Sequence, residues 1–276
     1  MEFGICLHSI IPVRQEASHL SPMVTQILFG ELYRVIEKGK NWFKIHLVYD
    51  EYEGWIDGMH CRIISSDEFF RLDEPGIRVT TRLVHLLMNE SRQSILPIVL
   101  GSSLPGLREN HIQIDNEKFY FDGEATDRSP IDKAYSPADL MKVRQQLVRD
   151  ALLYYNAPYL WGGRSPFGID CSGFVQMVYK LNYIKLSRDA RQQAEQGGIV
   201  SLLAEAGPGD LAFFDDEEGN ITHVGLLADN QNIIHCSGNV HTDTIDHEGI
   251  YNRELQKYTH RLRLIKRIAL PMTIDD

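Results

Sequence analysis

The sequence predicts an α+β protein whose strand-rich front part precedes helices and a final antiparallel sheet. Three observations predict this class. Short alternating runs bounded by turn residues fill residues 1–135. Apolar residues then recur at helical spacing, and alternating runs return after residue 210. With 276 residues, of which 43% are hydrophobic, the chain suits two or three domains with substantial cores.

Residues 1–65 are predicted to form a small barrel. Glu31 to Ile36 alternates between apolar and polar residues, and Trp42 to Tyr49 alternates again after a turn cluster. Gly54-Trp55-Ile56 then begins another strand. Several short strands at close spacing, without helical periodicity between them, favour a barrel.

Residues 66–135 are also rich in strand-forming residues, at Ile77–Val79, Leu83–Leu87 and Ile95–Leu100. Loops that contain glycine and proline separate these runs. We therefore expect a second small barrel of the same kind, followed by a linker at Lys133–Tyr135.

The third predicted domain, residues 136–276, opens with a helix. Serine is a good N-cap and proline suits the first helical position, so the helix is predicted to begin at Ser136-Pro137. Apolar residues recur at helical spacing from there to Tyr154.

A second helix is predicted to start at Cys171, because Phe174, Val175, Val178 and Leu181 recur at the spacing of one buried helix face. Free backbone N–H groups and the positive end of the helix dipole favour a thiolate at this position. A single cysteine before an apolar helix face is, however, more often a small buried residue than a nucleophile. Position alone leaves both interpretations open.

Two histidines could serve this thiol. A thiol that attacks a carbonyl needs a base, and the base needs a polar group that holds its tautomer. If Ala228 pairs with Asn232 around a three-residue loop, the register of two strands is fixed. His235 then lies opposite Gly225, with His223 as its diagonal neighbour at roughly 7–8 Å between Cα atoms. A two-residue loop would put the rings on opposite faces, so the pair predicts an odd-length turn.

Zinc is the alternative use of these side chains, with Cys171, His223, His235 and Cys236 as the four ligands. His235 and Cys236 are adjacent on a predicted strand and therefore point to opposite faces. This disfavours a four-ligand site, and the sequence predicts neither a metal nor a cofactor.

The motifs around these residues follow a recognisable order. They are Pro158-Tyr159-x-Trp161-Gly-Gly, Phe167-Gly-x-Asp170-Cys171-Ser172-Gly, Arg188-Asp189-Ala190, Pro208-Gly-Asp-Leu, Thr222-His223-Val-Gly and Ile234-His235-Cys-Ser-Gly. The pattern resembles the NlpC-type cell-wall peptidases, papain-like cysteine enzymes that cleave the γ-D-glutamyl–diamino acid bond of bacterial peptidoglycan peptides. This resemblance covers residues from about 140 to 270.

A second resemblance lies in the front part of the chain. The order Gly30-Glu31-x-Tyr33, Trp42-x-Lys44-Ile45 and Gly54-Trp55-Ile56 is similar to bacterial SH3-like domains. Together the two resemblances imply a papain-like NlpC-type catalytic domain, with helices packed on an antiparallel sheet, preceded by two small SH3-like β-barrels.

The family resemblance assigns catalytic roles. Cys171 is expected to be the nucleophile, His223 the base and His235 the residue that orients the base. The Cys171 backbone N–H and the Tyr159 hydroxyl are expected to stabilise the oxyanion.

The resemblance also implies substrate contacts. Those expected within the catalytic domain come from Trp161, Asp170, Ser172 and Asp189. An acidic residue such as Asp189 equally suits a helix N-terminus.

The family's cytoplasmic recycling members, of the dipeptidyl-peptidase VI type, close one end of the cleft with an acidic residue and a tyrosine of the first SH3-like domain. Glu16 and Tyr52 match these positions by their order. Together with Asp170 they would bind an ammonium group through charge-assisted hydrogen bonds. The expected substrate is a murein peptide with a free N-terminal L-Ala, L-Ala-γ-D-Glu-diamino acid. The alternative for Glu16 and Tyr52 is an ordinary surface position.

Composition limits the kinds of partner that we expect and indicates a cellular compartment. A net charge of −10 without a basic face argues against nucleic acid. No stretch approaches the ~20 apolar residues of a membrane span. Four cysteines without a Cys-x-x-Cys pair, and a start without a signal-peptide pattern, predict a cytoplasmic location.

Two alternatives to the peptidase remain at this point. One is an amidase or acyltransferase on the same fold, and the other is a wall-peptide-binding module, against which the complete set Cys171, His223 and His235 argues. The sequence leaves open whether the diamino acid is meso-diaminopimelate or lysine, and it leaves the oligomeric state open.

Overall fold

The computed structural model describes residues 2–126 and 137–269, which form two compact units. The first unit contains residues 2–126 and the short segment 161–166, and the second contains 137–160 and 167–269. The predicted linker at Lys133–Tyr135 and the predicted N-cap Ser136 lie outside the described residues, and the boundaries of the three predicted domains stay a prediction. Within the described part of the chain, no helix is long and apolar enough to span a membrane.

The first unit begins with a seven-stranded antiparallel sheet. Its strands are β1 (Glu2–Ile5), β2 (Ile10–Arg14), β3 (Met23–Leu28), β4 (Leu32–Lys38), β5 (Trp42–Leu47), β6 (Glu53–Asp57) and β7 (Ile63–Ile64), in the spatial order β3-β2-β6-β5-β4-β1-β7. The three runs that predicted strands in residues 1–65 correspond to β4, β5 and β6. One face of the sheet encloses a core that includes Val13, Ile27, Tyr33, Ile45 and Ile56.

The region after β7 confirms the predicted second barrel only in part. It contains one helix, α1 (Ser66–Leu72), and the strands β8 (Arg78–Val79), β9 (Val84–Asn89), β10 (Ser94–Val99), β11 (Ser103–Leu104), β12 (His111–Ile114) and β13 (Glu117–Phe121). Strands β10-β9-β13-β12 form one sheet, while β8 and β11 form a separate two-stranded ladder. Its core is shared with the first strands, because Ile5, Phe29 and Leu32 pack in the same cluster as Leu87 and Phe119.

A fully buried ion pair ties the segment 161–166 into the first unit. Strand β14 (Arg164–Ser165) places the Arg164 side chain at 0% exposure. Both its terminal nitrogens donate to the two Glu31 carboxylate oxygens at 2.9 Å, and Nη1 also donates to the Gln26 carbonyl at 2.7 Å. Removing one partner of such a pair leaves the other charge buried and uncompensated.

The second unit contains three helices and a sheet that closes on itself. The helices are α2 (Pro137–Ala151), α3 (Cys171–Leu181) and α4 (Ala190–Gln193). The strands are β15 (Gly168–Ile169), β16 (Gly198–Val200), β17 (Leu211–Asp215), β18 (Ile221–Leu227), β19 (Asn232–Ser237), β20 (Asn239–Ile245), β21 (Gly249–Asn252) and β22 (Lys257–Arg267). The sheet order is β16-β22-β17-β18-β19-β20-β21, and β21 pairs with β22 as well.

The predicted layout of helices on an antiparallel sheet is therefore present, but the sheet is a closed ring of six strands with β16 attached. Helix α3 packs against α2 and against β18 and β19. Its apolar face, with Phe174, Val175 and Val178 at 0% exposure, follows the spacing seen in the sequence. This packing places the first residue of α3 beside the central strands.

Glu31→Gln should destabilise the first unit by about 3–5 kcal/mol, because it leaves the Arg164 guanidinium buried without its counter-charge. Urea unfolding followed by tryptophan fluorescence measures this free energy. The matched control is Glu53→Gln, which removes the exposed ion pair with Lys44 (2.9 Å) and should cost less than about 1 kcal/mol. Equal losses in the two variants would contradict the importance assigned to the buried pair.

Candidate active site

Cys171 is the first residue of α3, as the sequence predicts. The helix is capped by Asp170, whose Oδ1 accepts the Gly173 backbone N–H at 2.7 Å. This cap satisfies one of the free N–H groups of the first turn. The Cys171 side chain is buried, with 8% of the residue exposed.

The sequence predicts a thiolate at Cys171, but the surroundings of the sulfur favour the thiol. Burial, followed by the charge of the Asp170 carboxylate, raises the pKa of Cys171 to about 12. The backbone N–H groups of Val224 and Ser172 and the Arg188 guanidinium oppose this rise without cancelling it. The resting sulfur is therefore a thiol, because desolvation outweighs the start of the helix. A thiol that attacks a carbonyl from this state needs a base.

The register predicted for β18 and β19 is confirmed. The Ala228 backbone N–H donates to the Asn232 carbonyl at 2.9 Å, and Gly225 lies opposite His235. The turn between them has the odd length that the sequence reasoning required. His223 Nε2 and His235 Nδ1 are 2.9 Å apart, so the two rings share a face and form a hydrogen bond.

Gly225 explains why this strand pair tolerates the two rings. A Cβ at position 225 would lie 2.9 Å from the His235 Cβ and 2.6 Å from a methyl group of Ile233. A side chain there would displace the strand or the imidazole. The glycine in the Thr222-His-Val-Gly motif thus makes room for the neighbouring histidine.

Asp243 extends the pair to a third member that the sequence reasoning missed. It lies on β20, and its Oδ2 is 3.3 Å from His235 Nε2 and 3.0 Å from Asn252 Nδ2. A turn at Gly238 places His241 opposite His235, and Asp243 follows two residues later on the same face. Recognising this second tight turn would have revealed the acid.

The carboxylate of Asp243 sets the tautomers of both rings. A carboxylate only accepts hydrogen bonds, so His235 donates from Nε2 and accepts at Nδ1. His223 must then donate from Nε2, which leaves its Nδ1 with a lone pair. That nitrogen is the one available to take the thiol proton, and Val224, the next residue, directs its N–H at the sulfur.

His223 is neutral at rest, which leaves one ring nitrogen with a lone pair. Burial lowers its pKa well below 6.5, and the neighbouring His260 and His235 lower it further. The His260 ring stacks on that of His223, with 4.1 Å between ring centroids and 26° between planes. No motif or spacing in the sequence singles out His260.

Asp170 and Ser172 belong to a buried network around Arg188. The guanidinium donates to both Asp170 oxygens, at 3.0 and 2.6 Å, and to Ser172 Oγ at 2.9 Å. The Asp170 carboxylate is thus already compensated by one cation and by the helix it caps. Substrate contacts of Asp170 and Ser172 stay a prediction.

Tyr159 and Asp189 also lie in the second unit. The Tyr159 side chain is half-buried, and burial, followed by the Cys171 and Asp170 charges, raises its pKa to about 12. Its hydroxyl is therefore protonated and able to donate to an oxyanion. Asp189 is the N-cap of α4, which is the helix N-terminal position considered for it as an alternative to substrate binding. Its backbone N–H donates to Gln192 Oε1 at 3.3 Å. Its contact with substrate stays a prediction.

Glu16, Tyr52 and Trp161 belong to the first unit. Glu16 is exposed after β2, and its backbone N–H donates to Ser21 Oγ at 2.9 Å. Tyr52 is half-buried against the core of the barrel, and Trp161 is 65% exposed. These positions do not test the predicted contacts of the three residues with substrate.

Two sets of side chains among the described residues could hold a metal ion: His223, His235 and His260, and His235, His241 and Asp243. Neither includes the cysteines of the zinc site considered from the sequence. The Cys236 sulfur instead donates to the Ile169 carbonyl at 3.2 Å.

Comparison with known families agrees with this geometry. Residues 156–263 match the NlpC/P60 family, and residues 13–65 match the bacterial dipeptidyl-peptidase SH3 domain. The chain carries an NlpC/P60 domain preceded by a bacterial SH3 domain. The NlpC/P60 family is a cysteine peptidase family, which agrees with a thiol at the start of α3 and paired imidazoles on β18 and β19.

Relatives with this domain carry peptidase names. A γ-D-glutamyl-L-lysine dipeptidyl-peptidase of Bacillus cereus is 29% identical over 238 residues, which cover 79% of this chain and 68% of the relative. The enzyme of the same name from Bacillus subtilis is 40% identical over 36% of each chain, and dipeptidyl-peptidase 6 of Lysinibacillus sphaericus is 38% identical over 41% of each. The chain thus spans about two thirds of the first relative and less than half of the other two.

Solved structures support the fold. An NlpC/P60 family protein from Bacillus cereus superposes with a TM-score of 0.79 at 20% identity, covering 96% of this chain and 99% of that one. An NlpC/P60 endopeptidase from Photobacterium damselae gives a TM-score of 0.62 at 15% identity, covering 95% of this chain and 65% of that one. At these identities the likeness concerns the fold alone.

Asp243→Asn should lower kcat by about 10- to 10²-fold with little change in KM, because an amide no longer imposes one tautomer on His235. Steady-state kinetics on a peptide substrate measures this split. The matched control is Asp246→Asn, at an acid that directly follows the same strand and accepts a hydrogen bond from Tyr258 at 2.5 Å. An unchanged kcat for Asp243→Asn, with unaltered melting temperature, would remove Asp243 from the site.

Proposed function

We propose that the protein is a cysteine peptidase that hydrolyses the γ-D-glutamyl–diamino acid bond of murein peptides. The observation that carries this proposal is the hydrogen-bonded series His223–His235–Asp243 on strands packed against the Cys171 helix, within an NlpC/P60 domain. The names of the Bacillus relatives, which are γ-D-glutamyl-L-lysine dipeptidyl-peptidases, support the same bond.

The reaction follows from the tautomers. His223 Nδ1 takes the proton of the Cys171 thiol, and the thiolate attacks the γ-carbonyl carbon of D-glutamate. The oxyanion is stabilised by the Cys171 backbone N–H and the Tyr159 hydroxyl. His223 returns the proton to the leaving amine as the C–N bond breaks. Water, deprotonated by His223, then hydrolyses the thioester and regenerates the thiol.

The charge that forms on His223 during this cycle is balanced by Asp243. When His223 is protonated at both nitrogens, its Nε2–H still donates to His235 Nδ1, and the His235 Nε2–H still donates to the carboxylate. No ring has to rotate between the two protonation states. This suits a base that must act once as acceptor and once as donor in each half-reaction.

A free N-terminal L-Ala is the second part of the proposal. It rests on the resemblance of Glu16 and Tyr52 to the acid and the tyrosine of the recycling members of the family. A positively charged amine would be required for charge-assisted recognition, and attachment of the peptide to a glycan removes that charge. A peptidase with this requirement acts on released peptides, which fits a cytoplasmic role in peptide recycling.

The deciding experiment incubates the protein with synthetic L-Ala-γ-D-Glu-L-Lys and with its meso-diaminopimelate counterpart, followed by mass spectrometry of the products. We expect the dipeptide L-Ala-D-Glu and the free diamino acid. Cys171→Ala should abolish product with an unchanged melting temperature, whereas Cys61→Ala in the first unit should keep full activity. Products that join the acyl group to an added amine instead of water would favour the acyltransferase, and binding without any product would favour the binding module.

N-acetylation of the L-Ala should raise KM at least about tenfold, because one charge-assisted interaction is lost. Glu16→Ala should produce a similar rise with the free peptide and no further rise with the acetylated one. Kinetics of both peptides with both proteins form a double cycle that measures the coupling. Additive losses would show that Glu16 does not recognise the amine.

A further inference from the structure

A group of three polar atoms lies at the outer end of the proposed catalytic series and shares two of its members. His235 Nε2 and Asp243 Oδ2 are used by the proposed reaction, His241 Nε2 is not, and all three atoms lie within 4.8 Å of one another. We propose that these three atoms form a binding site for a divalent transition-metal ion of the Zn²⁺ class, and that the bound ion inhibits the peptidase by reversing the tautomers of His235 and His223.

The distances from Asp243 Oδ2 to the two histidine nitrogens fit a tetrahedral ion. Asp243 Oδ2 is 3.3 Å from His235 Nε2 and 3.2 Å from His241 Nε2. With zinc bonds to nitrogen and oxygen of about 2.0–2.1 Å, two ligands of a tetrahedron are separated by roughly 3.3 Å. The donor set of two imidazoles and one carboxylate is common for zinc sites that keep one position open.

His241 gives an independent reason to place a cation here. Its Nδ1 is 2.9 Å from the Asn239 carbonyl oxygen, which can only accept, so Nδ1 carries a hydrogen. In the neutral form of this ring, the lone pair of Nε2 faces the Asp243 carboxylate oxygen, and a cation between the two atoms would be coordinated by both. Metal-ligating histidines usually donate their other ring N–H to a carboxylate or a backbone carbonyl, as His241 does.

The site is reachable from solvent. His241 and Asp243 line a polar cavity of about 670 Å³ together with Asn156, Asn239 and Asn252. The His241 side chain is 23% exposed and that of Asp243 is 9% exposed, while His235 is buried. An ion can enter through the cavity and keep a water molecule as its fourth ligand. Asn252 Nδ2, which donates to Asp243 Oδ2, would hold the carboxylate in place.

The consequence for catalysis follows from proton positions. An ion on His235 Nε2 displaces the hydrogen from that atom, so the neutral ring carries its hydrogen on Nδ1 and donates to His223 Nε2. His223 then carries its own hydrogen on Nδ1, where the thiol proton must go. One proton leaves His235 Nε2 and one arrives at His223 Nδ1, so the net charge of the two rings is unchanged. The base is disabled although neither the thiol nor the cleft is blocked.

Metal binding is tested without activity, in the full-length Cys171→Ala variant, where the thiol cannot be a ligand. Titration with Co²⁺ should give the visible absorption of a four-coordinate ion, and Zn²⁺ should displace it. His241→Asn keeps a donor for the Asn239 carbonyl but lacks Nε2, and it should weaken binding by roughly 10²-fold. His260→Gln should leave binding unchanged. Loss of binding in His260→Gln but not in His241→Asn would move the ion to the other histidine set, and no binding at all would overturn the site.

The tautomer reversal is tested by NMR of the same variant labelled with ¹⁵N-histidine. Without metal, His223 should show a hydrogen on Nε2, and with Zn²⁺ it should show one on Nδ1. An unchanged His223 pattern in the metal-bound protein would overturn the proposed mode of inhibition.

The inhibitory effect rests on the proposed function, whereas metal binding does not. Zn²⁺ should inhibit cleavage of L-Ala-γ-D-Glu-L-Lys by the protein with Cys171 intact. His241→Asn should raise the half-inhibiting Zn²⁺ concentration by the same factor by which it weakens metal binding. The rate of each variant is compared with its own rate without metal. Equal inhibition of both would place the zinc on Cys171 and overturn the inference. Absence of any cleavage without metal would refute the peptidase and leave the binding result standing.

Discussion

The hydrogen bond between His223 Nε2 and His235 Nδ1 depends on one register of two strands, and the chemistry of the site depends on that bond. The register follows from the three-residue turn after Ala228 and from the missing side chain at Gly225. A shift by one residue would turn one ring to the opposite face of the sheet. Helix α3 packs on these same strands, so the strands that carry the proposed base also support the helix that begins at Cys171.

Burial decides how the site can work. The thiol, both rings of the relay and His260 are all desolvated, and each is driven toward its neutral form. In the proposed reaction, the neutral thiol and the neutral imidazole stay unreactive until a carbonyl arrives that can accept the developing charge. Asp243, at the far end of the series His223–His235–Asp243, would then balance the transient positive charge on His223. The carboxylate next to the sulfur, Asp170, is already compensated by Arg188.

The reactive core of the second unit could be predicted from the sequence because its signals are local. Motifs locate Cys171 and the two histidines, the helix period locates α3, and a three-residue turn fixes the strand register. To predict Asp243, one would have needed the register of a second strand pair, around Gly238. To predict the protonation state of Cys171, one would have needed to know how deeply it is buried. The region after β7 was harder, because its short strands complete a core begun by Ile5 and Phe29 and so lack a pattern of their own. No periodic pattern in the sequence relates β21 to β22, so the pairing of these strands that closes the sheet could not be predicted.

The closed ring of strands in the second unit has an evolutionary consequence. In a closed barrel the stagger of all strands is linked, so one pair cannot slip unless the others slip with it. Substitutions in the outer loops therefore change the stability of the ring before they change the alignment of its two central strands. Such a scaffold would let the outer loops diversify while the strand pair that holds His223 and His235 keeps its register.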